Sequence, residues 1–139
     1  MSNSTHDTVD HIDKVRARID QVIGVLHGRA FHHDYSKLQE PEKSGYDELM
    51  ISKKYADGKA NPTIAHHYAV NTHHPEHYDN GVAGMSLLDV VEMLCDWKAA
   101  SERTKQGSIA QSLKHNKKCF GIDDQLIAIL ENTVKELDW

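Results

Sequence analysis

The chain has 139 residues, a length that fits one domain of ordinary size, and its 16 Lys and Arg face 21 Asp and Glu for a formal net charge of −5. This acidic balance argues against binding along a nucleic-acid backbone, which needs clustered cations. No apolar run reaches the roughly 18 residues that cross a bilayer, and two cysteines, Cys95 and Cys119, are too few for a disulfide scaffold. We therefore expect a single cytoplasmic domain over residues 1–139, with 1–8 flexible and no membrane association.

The first half of the chain opens with a strongly periodic segment. From Val9 to Leu26 the apolar side chains recur every three or four residues, the pattern of an amphipathic helix. Gly28 follows directly after this pattern, and glycine is common where helices end. The sequence thus predicts a first helix that stops at Gly28.

The next stretch has weaker signals. Residues 31–37 are predicted as a short polar insertion, and 38–55 is typical of a weak helix interrupted near Pro41. Its end overlaps the polar segment 52–60, which lacks apolar periodicity. We expect this segment to be an exposed loop.

Asn61-Pro62 predicts a helix start, with a capping side chain followed by proline at the first helical position. The helix is expected to run to about His73, because Pro75 disfavours helical backbone in the residue before it. Residues 75–84 contain Asp-Asn-Gly and a further glycine, and are predicted as a turn-rich loop.

The second half contains the most apolar segment. From Met85 to about Arg103, apolar side chains cover most of the circumference of a predicted helix, which we expect to be central. A last helix is predicted over 122–137, and the basic run 114–118 is expected to be a solvated loop. No alternating strand pattern occurs, so the fold class is all-α, a compact helical bundle.

Histidine is the unusual component of the composition. There are 11 histidines against 8 glycines, and ten of the 11 lie between His6 and His77. Adjacent pairs occur at 32–33, 66–67 and 73–74. Because imidazole is the commonest metal ligand in proteins, the composition favours a metal site.

An acidic line marks the predicted central helix. Asp89, Glu92 and Asp96 stand at i, i+3 and i+7, so they share one side of an otherwise apolar helix. Like charges at this spacing repel, and a buried carboxylate is costly without a compensating cation. We expect a positive group to face this line, either a metal ion or a Lys or Arg from another helix.

The chain offers further ligand types on separate segments. His33-Asp34 places an imidazole beside a carboxylate, with Lys37 about one helical turn further on. Borderline metals accept both ligand types. The remaining candidates are histidines and one acid: His11, His67, His73, His74 and Asp96.

Adjacent histidines leave two assignments open. His66 and His67 are about 100° apart on a helix, so both cannot face one site, and the periodicity does not choose between them. His73 and His74 are alternatives in the same way.

In chain order these ligands resemble those of the HD-domain superfamily of metal-dependent phosphohydrolases. HDYSK at 33–37 resembles its His-Asp-x-x-Lys motif. HHPEHYDNG at 73–81 and DWKAASERT at 96–104 resemble segments of the HD-GYP cyclic-dinucleotide phosphodiesterases. A small uncharacterised family of phage and bacterial proteins is closer still, through HDYSKLQEPE, HxxxNxHHPEHY and LLDVVEMLCDWKAAS, and this likeness covers roughly residues 9 to 137.

Two departures limit what the resemblance implies. NGVAG at 80–84 stands where those phosphodiesterases have a Gly-Tyr-Pro element, and the spacing from His67 to His73 is short, so specificity for cyclic-di-GMP does not carry over. The resemblance favours His67 above His66, because His67 lies four residues before Asn71 as the motif requires.

The resemblance implies a compact HD-domain-like bundle that holds two divalent ions (Mn, Mg, Co or Fe). A first set of four ligands would hold one ion, and Asp34 would bridge to a second ion held by His67 with His73 or His74. The first set is His11, His33, Asp34 and Asp96.

It also implies roles in catalysis for Asp34 and Lys37. Lys37, Asn71 and Arg103 would bind the substrate, and Lys37 would stabilise phosphoryl oxygens or orient the nucleophile. Outer partners for the ligand imidazoles would come from Asn71, Glu76 and Asp79. The substrate expected is a nucleotide or a related small phosphate ester.

Two other functions fit the same residues. One is an HD-type di-iron oxygenase, and the other is a non-catalytic, metal-stabilised module that binds a nucleotide or a protein. Hydrolysis is favoured because Lys37 suits a phosphate. A chain of 139 residues offers only a shallow pocket, so we also expect a homodimer, in the cytoplasm of a bacterium or an infected host cell.

Overall fold

A computed structural model describes residues 4–52 and 55–139. Within those ranges the chain forms helices and 3-10 turns and no strand, which confirms the all-α class. The chain groups into two compact units, Met1–His33 and Asp34–Trp139. None of the described helices is long and apolar enough to span a membrane. The helices are α1 (Ser4–His32), α2 (Glu42–Ser52), α3 (Pro62–Val70), α4 (Leu87–Ser101), α5 (Ile109–Phe120) and α6 (Asp124–Glu136).

The first unit consists essentially of α1, and its predicted end was wrong. The helix continues through Gly28 to His32, four residues further, and takes in the beginning of the expected polar insertion. A glycine inside a helix costs only about 1 kcal/mol, and Arg29 and Ala30 behind it are good helix formers. Residues 4–8, expected to be flexible, belong to this helix, whereas 1–3 lie outside the described residues.

The second unit begins with a short turn. Asp34 has left-handed backbone (φ 55°), and a 3-10 turn over Tyr35–Leu38 follows it. The helix expected to break near Pro41 begins directly after that residue, at Glu42. The expected loop at 52–60 contains a 3-10 turn, Tyr55–Ala60, and its residues 53 and 54 lie outside the described residues.

The start of α3 is confirmed. The side chain of Asn61 accepts hydrogen bonds from the backbone nitrogens of Thr63 and Ile64, at 2.9 and 3.3 Å, and Pro62 follows it. The helix ends at Val70, three residues before the predicted end, because Asn71 already has extended backbone. His73 and His74 therefore lie in the turn before Pro75 rather than on the helix.

Helices α4, α5 and α6 surround the apolar core of the second unit. The predicted central helix, α4, is confirmed to within two residues at each end, and α6 is confirmed as closely. Buried side chains from these helices and the turn between α5 and α6 form one cluster. Its members are Val90, Met93, Leu94, Ile109, Leu113, Ile122, Ile127 and Leu130.

Helix α5 was not predicted, and the basic run 114–118 lies within it rather than in a loop. Ser108 caps its start by accepting a hydrogen bond from the backbone of Gln111, and Gly121 ends it in left-handed conformation. Ile109 and Leu113, one turn apart, reach the core, while Lys114 and Lys118 are exposed. Because apolar residues are few and lysines frequent in this segment, its sequence did not indicate an amphipathic helix.

Met93 should be a sensitive position in this core, because its side chain is only 1% exposed. Met93→Ala leaves a cavity among packed neighbours, and we expect it to lower the free energy of unfolding by about 2–5 kcal/mol. Leu87→Ala on the same helix is the control, since Leu87 is 72% exposed and should lose less than ~0.5 kcal/mol. Urea denaturation followed by circular dichroism measures both, and equal losses would contradict the described core.

Candidate metal centre

Four predicted ligands converge in the second unit. Asp34, His67, His73 and His74 each offer one ligand atom, and these four atoms all lie within 4.8 Å of one another. His67 and His73 are each only 2% exposed, whereas Asp34 and His74 are partly buried. Three imidazoles and a carboxylate at this separation form a cluster that could hold a metal ion.

His67 lies at the centre of the cluster. Its Nε2 atom is 2.9 Å from Nε2 of His74 and 3.3 Å from Oδ1 of Asp34. Its other ring nitrogen, Nδ1, is 2.9 Å from Oε2 of Glu42. One edge of the ring thus faces possible metal ligands and the other faces a buried carboxylate.

The structure separates the adjacent histidines at 66 and 67. His66 turns outward, its side chain is 42% exposed, and its Nδ1 lies 2.8 Å from Oε1 of Glu42. His67, one residue further around α3, points into the cluster. Helical periodicity left the choice between His66 and His67 open, and in the structure it is the ring of His67 that is buried against Asp34.

His73 and His74 do not exclude each other, because both contribute to the cluster. Their ring centroids are 4.1 Å apart, and Nε2 of His73 lies 3.5 Å from Oδ1 of Asp34. Helical backbone would have turned consecutive side chains about 100° apart. The extended backbone of His74 before Pro75 instead brings the two rings side by side.

Asp34 is the electrostatic centre of the site. Burial by itself would raise the pKa of Asp34, but hydrogen bonds from His67, His73 and Lys37, together with the Lys37 charge, hold that pKa well below its usual range. The Lys37 ammonium lies 2.6 Å from Oδ2 of Asp34. The carboxylate is therefore ionised at neutral pH, the form in which it binds metals.

His74 is held neutral. Its pKa is lowered to about 3, first by burial and then by the neighbouring His73 and His67, while Asp96 and Asp34 act in the opposite direction. A neutral imidazole is the form that ligates a metal.

The acidic line on α4 is compensated by different groups along its length. Asp89 is 2% exposed and accepts hydrogen bonds from the backbone of Ser86 and the hydroxyl of Tyr78, at 2.7 and 2.8 Å. These donors are neutral, and through the bond to Ser86 the Asp89 side chain caps its own helix. Glu92 meets His73, with Oε1 at 3.2 Å from Nδ1.

The other predicted residues have varied positions. Asp96 lies on α4, and His33 is the last residue of the first unit. Among the described residues, the cluster of Asp34, His67, His73 and His74 includes none of His11, His33 and Asp96, so their roles as ligands stay predictions. Arg103 is exposed beyond the end of α4.

Asn71 is engaged with the cluster rather than directed away from it. Its amide donates to the backbone oxygen of His67 at 2.8 Å and to the hydroxyl of Ser36 at 2.9 Å. This agrees with the expected outer partner of a ligand histidine. A substrate-binding role for Asn71 stays a prediction.

Glu42 is the residue that the sequence did not reveal. It is fully buried and contacts both His66 and His67. Burial would raise the pKa of Glu42, but hydrogen bonds from His66, His67 and Ser36 lower it below its usual value. A glutamate in the first turn of a helix is ordinarily explained by the helix dipole, so no sequence signal marked it.

The fold and the cluster together define an all-α protein with a candidate metal centre. The chain belongs to DUF5662, a family of unknown function whose model matches residues 1–136. No curated protein and no solved structure matches the chain. Membership of this family assigns no activity to the chain.

The two adjacent histidines provide a matched test of the site. His67→Ala removes a predicted ligand and should lower the affinity for a divalent ion by at least about 100-fold. Even the loss of a residue that only hydrogen-bonds to a metal ligand typically lowers metal affinity by 10–100-fold. His66→Ala removes an exposed neighbour and should leave the affinity within about threefold of wild type. Isothermal titration with Mn²⁺ or Zn²⁺ measures both, and equal effects of the two substitutions would contradict the assignment.

Proposed function

We propose that this protein is a metal-dependent phosphohydrolase that acts on a nucleotide or a related small phosphate ester. The observation that carries the proposal is the cluster of Asp34, His67, His73 and His74 within 4.8 Å, with Lys37 beside its carboxylate. The same residues make up the motifs that resemble the HD-domain superfamily. The contacts support a metal site, and the motifs support the phosphohydrolase activity that we propose for it.

The donor set suits a borderline divalent ion. Imidazole favours ions such as Zn and Fe, whereas Mg and Mn prefer carboxylates, carbonyls and water. The three histidines supply nitrogen donors, and Asp34 supplies one negative charge. A bound ion of this kind lowers the pKa of a coordinated water and polarises a phosphoryl oxygen.

The chain's own residues would prepare the site for an anionic substrate. Lys37 is partly exposed, with 34% of its side chain accessible, and its ammonium lies at the edge of the cluster beside Asp34. From there it can pair with phosphoryl oxygens as a point charge. The ring of Tyr46 faces the same ammonium at 5.4 Å and restricts its position.

Metal content and activity should be measured together on the wild type and Asp34→Ala. We expect wild-type protein to hold one or two divalent ions per chain and to release phosphate from at least one member of a panel of nucleotides and small phosphate esters. Asp34→Ala should lose both properties, since it removes the charged ligand. Metal-loaded wild type that hydrolyses no phosphate ester would overturn the proposal.

The same samples distinguish the other two functions. Oxygen uptake by iron-loaded protein without phosphate release would favour a di-iron oxygenase. Retained nucleotide affinity in Asp34→Ala, with only a loss of stability, would favour a binding module. Light scattering on the wild type tests the proposed homodimer.

Lys37→Ala separates substrate binding from metal binding. Because Lys37 offers no ligand atom, the variant should keep its metal, while turnover should fall about 100-fold through loss of the charge at the phosphoryl group. Lys43→Ala is the control, since Lys43 is an exposed lysine paired with Asp47 on α2. Unchanged turnover in Lys37→Ala would remove Lys37 from the mechanism.

A further inference from the structure

Two ligand imidazoles are backed by carboxylates on the side away from the cluster. Nδ1 of His67 lies 2.9 Å from Oε2 of Glu42, and Nδ1 of His73 lies 3.2 Å from Oε1 of Glu92. Glu42 is the more informative of the two, because it is fully buried and its carboxylate contacts Ser36, His66 and His67. Its surroundings determine where the proton of His67 must be.

The hydrogens around Glu42 can be counted. The amide of Asn71 has two hydrogens, which it donates to the hydroxyl of Ser36 and to the backbone oxygen of His67, and its nitrogen also lies 3.0 Å from Nδ1 of His67. The single hydroxyl hydrogen of Ser36 goes to Oε2 of Glu42, at 2.8 Å. The hydrogen between His67 and Glu42 is therefore the one carried by Nδ1 of His67, because an ionised carboxylate only accepts.

With the proton on Nδ1, the opposite ring nitrogen of a neutral His67, Nε2, carries no proton. A histidine that keeps its proton on Nδ1 has Nε2 available to bind an ion. Nε2 of His67 is the atom that lies 2.9 Å from Nε2 of His74 and 3.3 Å from Oδ1 of Asp34. The nitrogen that meets the other ligands is thus the one left to coordinate.

We propose that Glu42 is a positioning residue that holds the proton of His67 on Nδ1 and so presents Nε2 as a metal ligand. The inference rests on the proposed metal site, but it concerns the ring nitrogen and not the reaction. Glu42 lies at the start of α2 and His67 in α3, so the same bond also fixes the orientation of the ring relative to Asp34. Outer partners of this kind typically contribute 10–100-fold to metal affinity.

Glu42→Gln is the primary test. Glutamine has one acceptor oxygen where the carboxylate has two, and it lacks the charge, so His66 and His67 can no longer both donate from Nδ1. We expect the affinity for Zn²⁺ to fall by 10–100-fold. Glu48→Gln, an exposed glutamate on the same helix, is the matched control and should bind Zn²⁺ like the wild type.

A spectroscopic readout separates positioning from simple structural support. In Zn²⁺-loaded wild type, long-range ¹H–¹⁵N correlation spectra should show His67 protonated at Nδ1 and coordinated through Nε2. His66→Ala, which leaves Oε2 of Glu42 on His67, should keep this pattern. Glu42→Leu removes both acceptor oxygens and should lose this protonation pattern of His67. Circular dichroism shows whether this variant folds, and if it does not, the Glu42→Gln measurements decide the test.

Coordination of His67 through Nδ1, or Zn²⁺ affinity within about threefold of wild type in folded Glu42→Gln, would overturn the proposal. Wild type that binds Zn²⁺ with the expected ring pattern but hydrolyses no phosphate ester would overturn the proposed function alone. Wild type that binds no divalent ion would overturn both.

Discussion

The structure of the site depends on the bond between two buried polar groups, the Glu42 carboxylate and the His67 imidazole. Neither group is more than 2% exposed, and a buried polar group without a partner is strongly destabilising. The bond joins the start of α2 to the middle of α3, and Ser36 and Asn71 extend it toward the Asp34 turn. The same hydrogen bond therefore stabilises the packing of α2 on α3 and positions His67 in the cluster.

Helix α4 connects this polar region to the apolar core of the second unit. Val90, Met93 and Leu94 belong to the core cluster, whereas Glu92, on another side of the same helix, meets His73. The core can thus hold α4 in place while its acidic side chains are arranged around the imidazoles. Two of the carboxylates on this helix have structural partners, since Asp89 caps the helix start and Glu92 contacts His73.

The charge arrangement agrees with the proposed chemistry. Asp34 lies between imidazoles on one side and the Lys37 ammonium on the other, so its ionised form is strongly favoured. A divalent ion held there and an adjacent lysine would together offer positive charge to a phosphate group. Asp34 itself has left-handed backbone at the start of the second unit, directly before the 3-10 turn that carries Lys37.

The sequence by itself determined the all-α class, the start of α3 at Asn61-Pro62, the extent of α4 and most members of the cluster, because capping, periodicity and ligand chemistry are local properties. It did not determine the end of α1, because Gly28 suggested an earlier stop, or the existence of α5, because its lysines obscured a weak apolar periodicity. Only the tertiary structure showed that His67 rather than His66 is buried against Asp34, joined His73 with His74 and revealed Glu42. Those outcomes depend on which side chains are buried against each other across distant segments, and burial is a property of the folded chain.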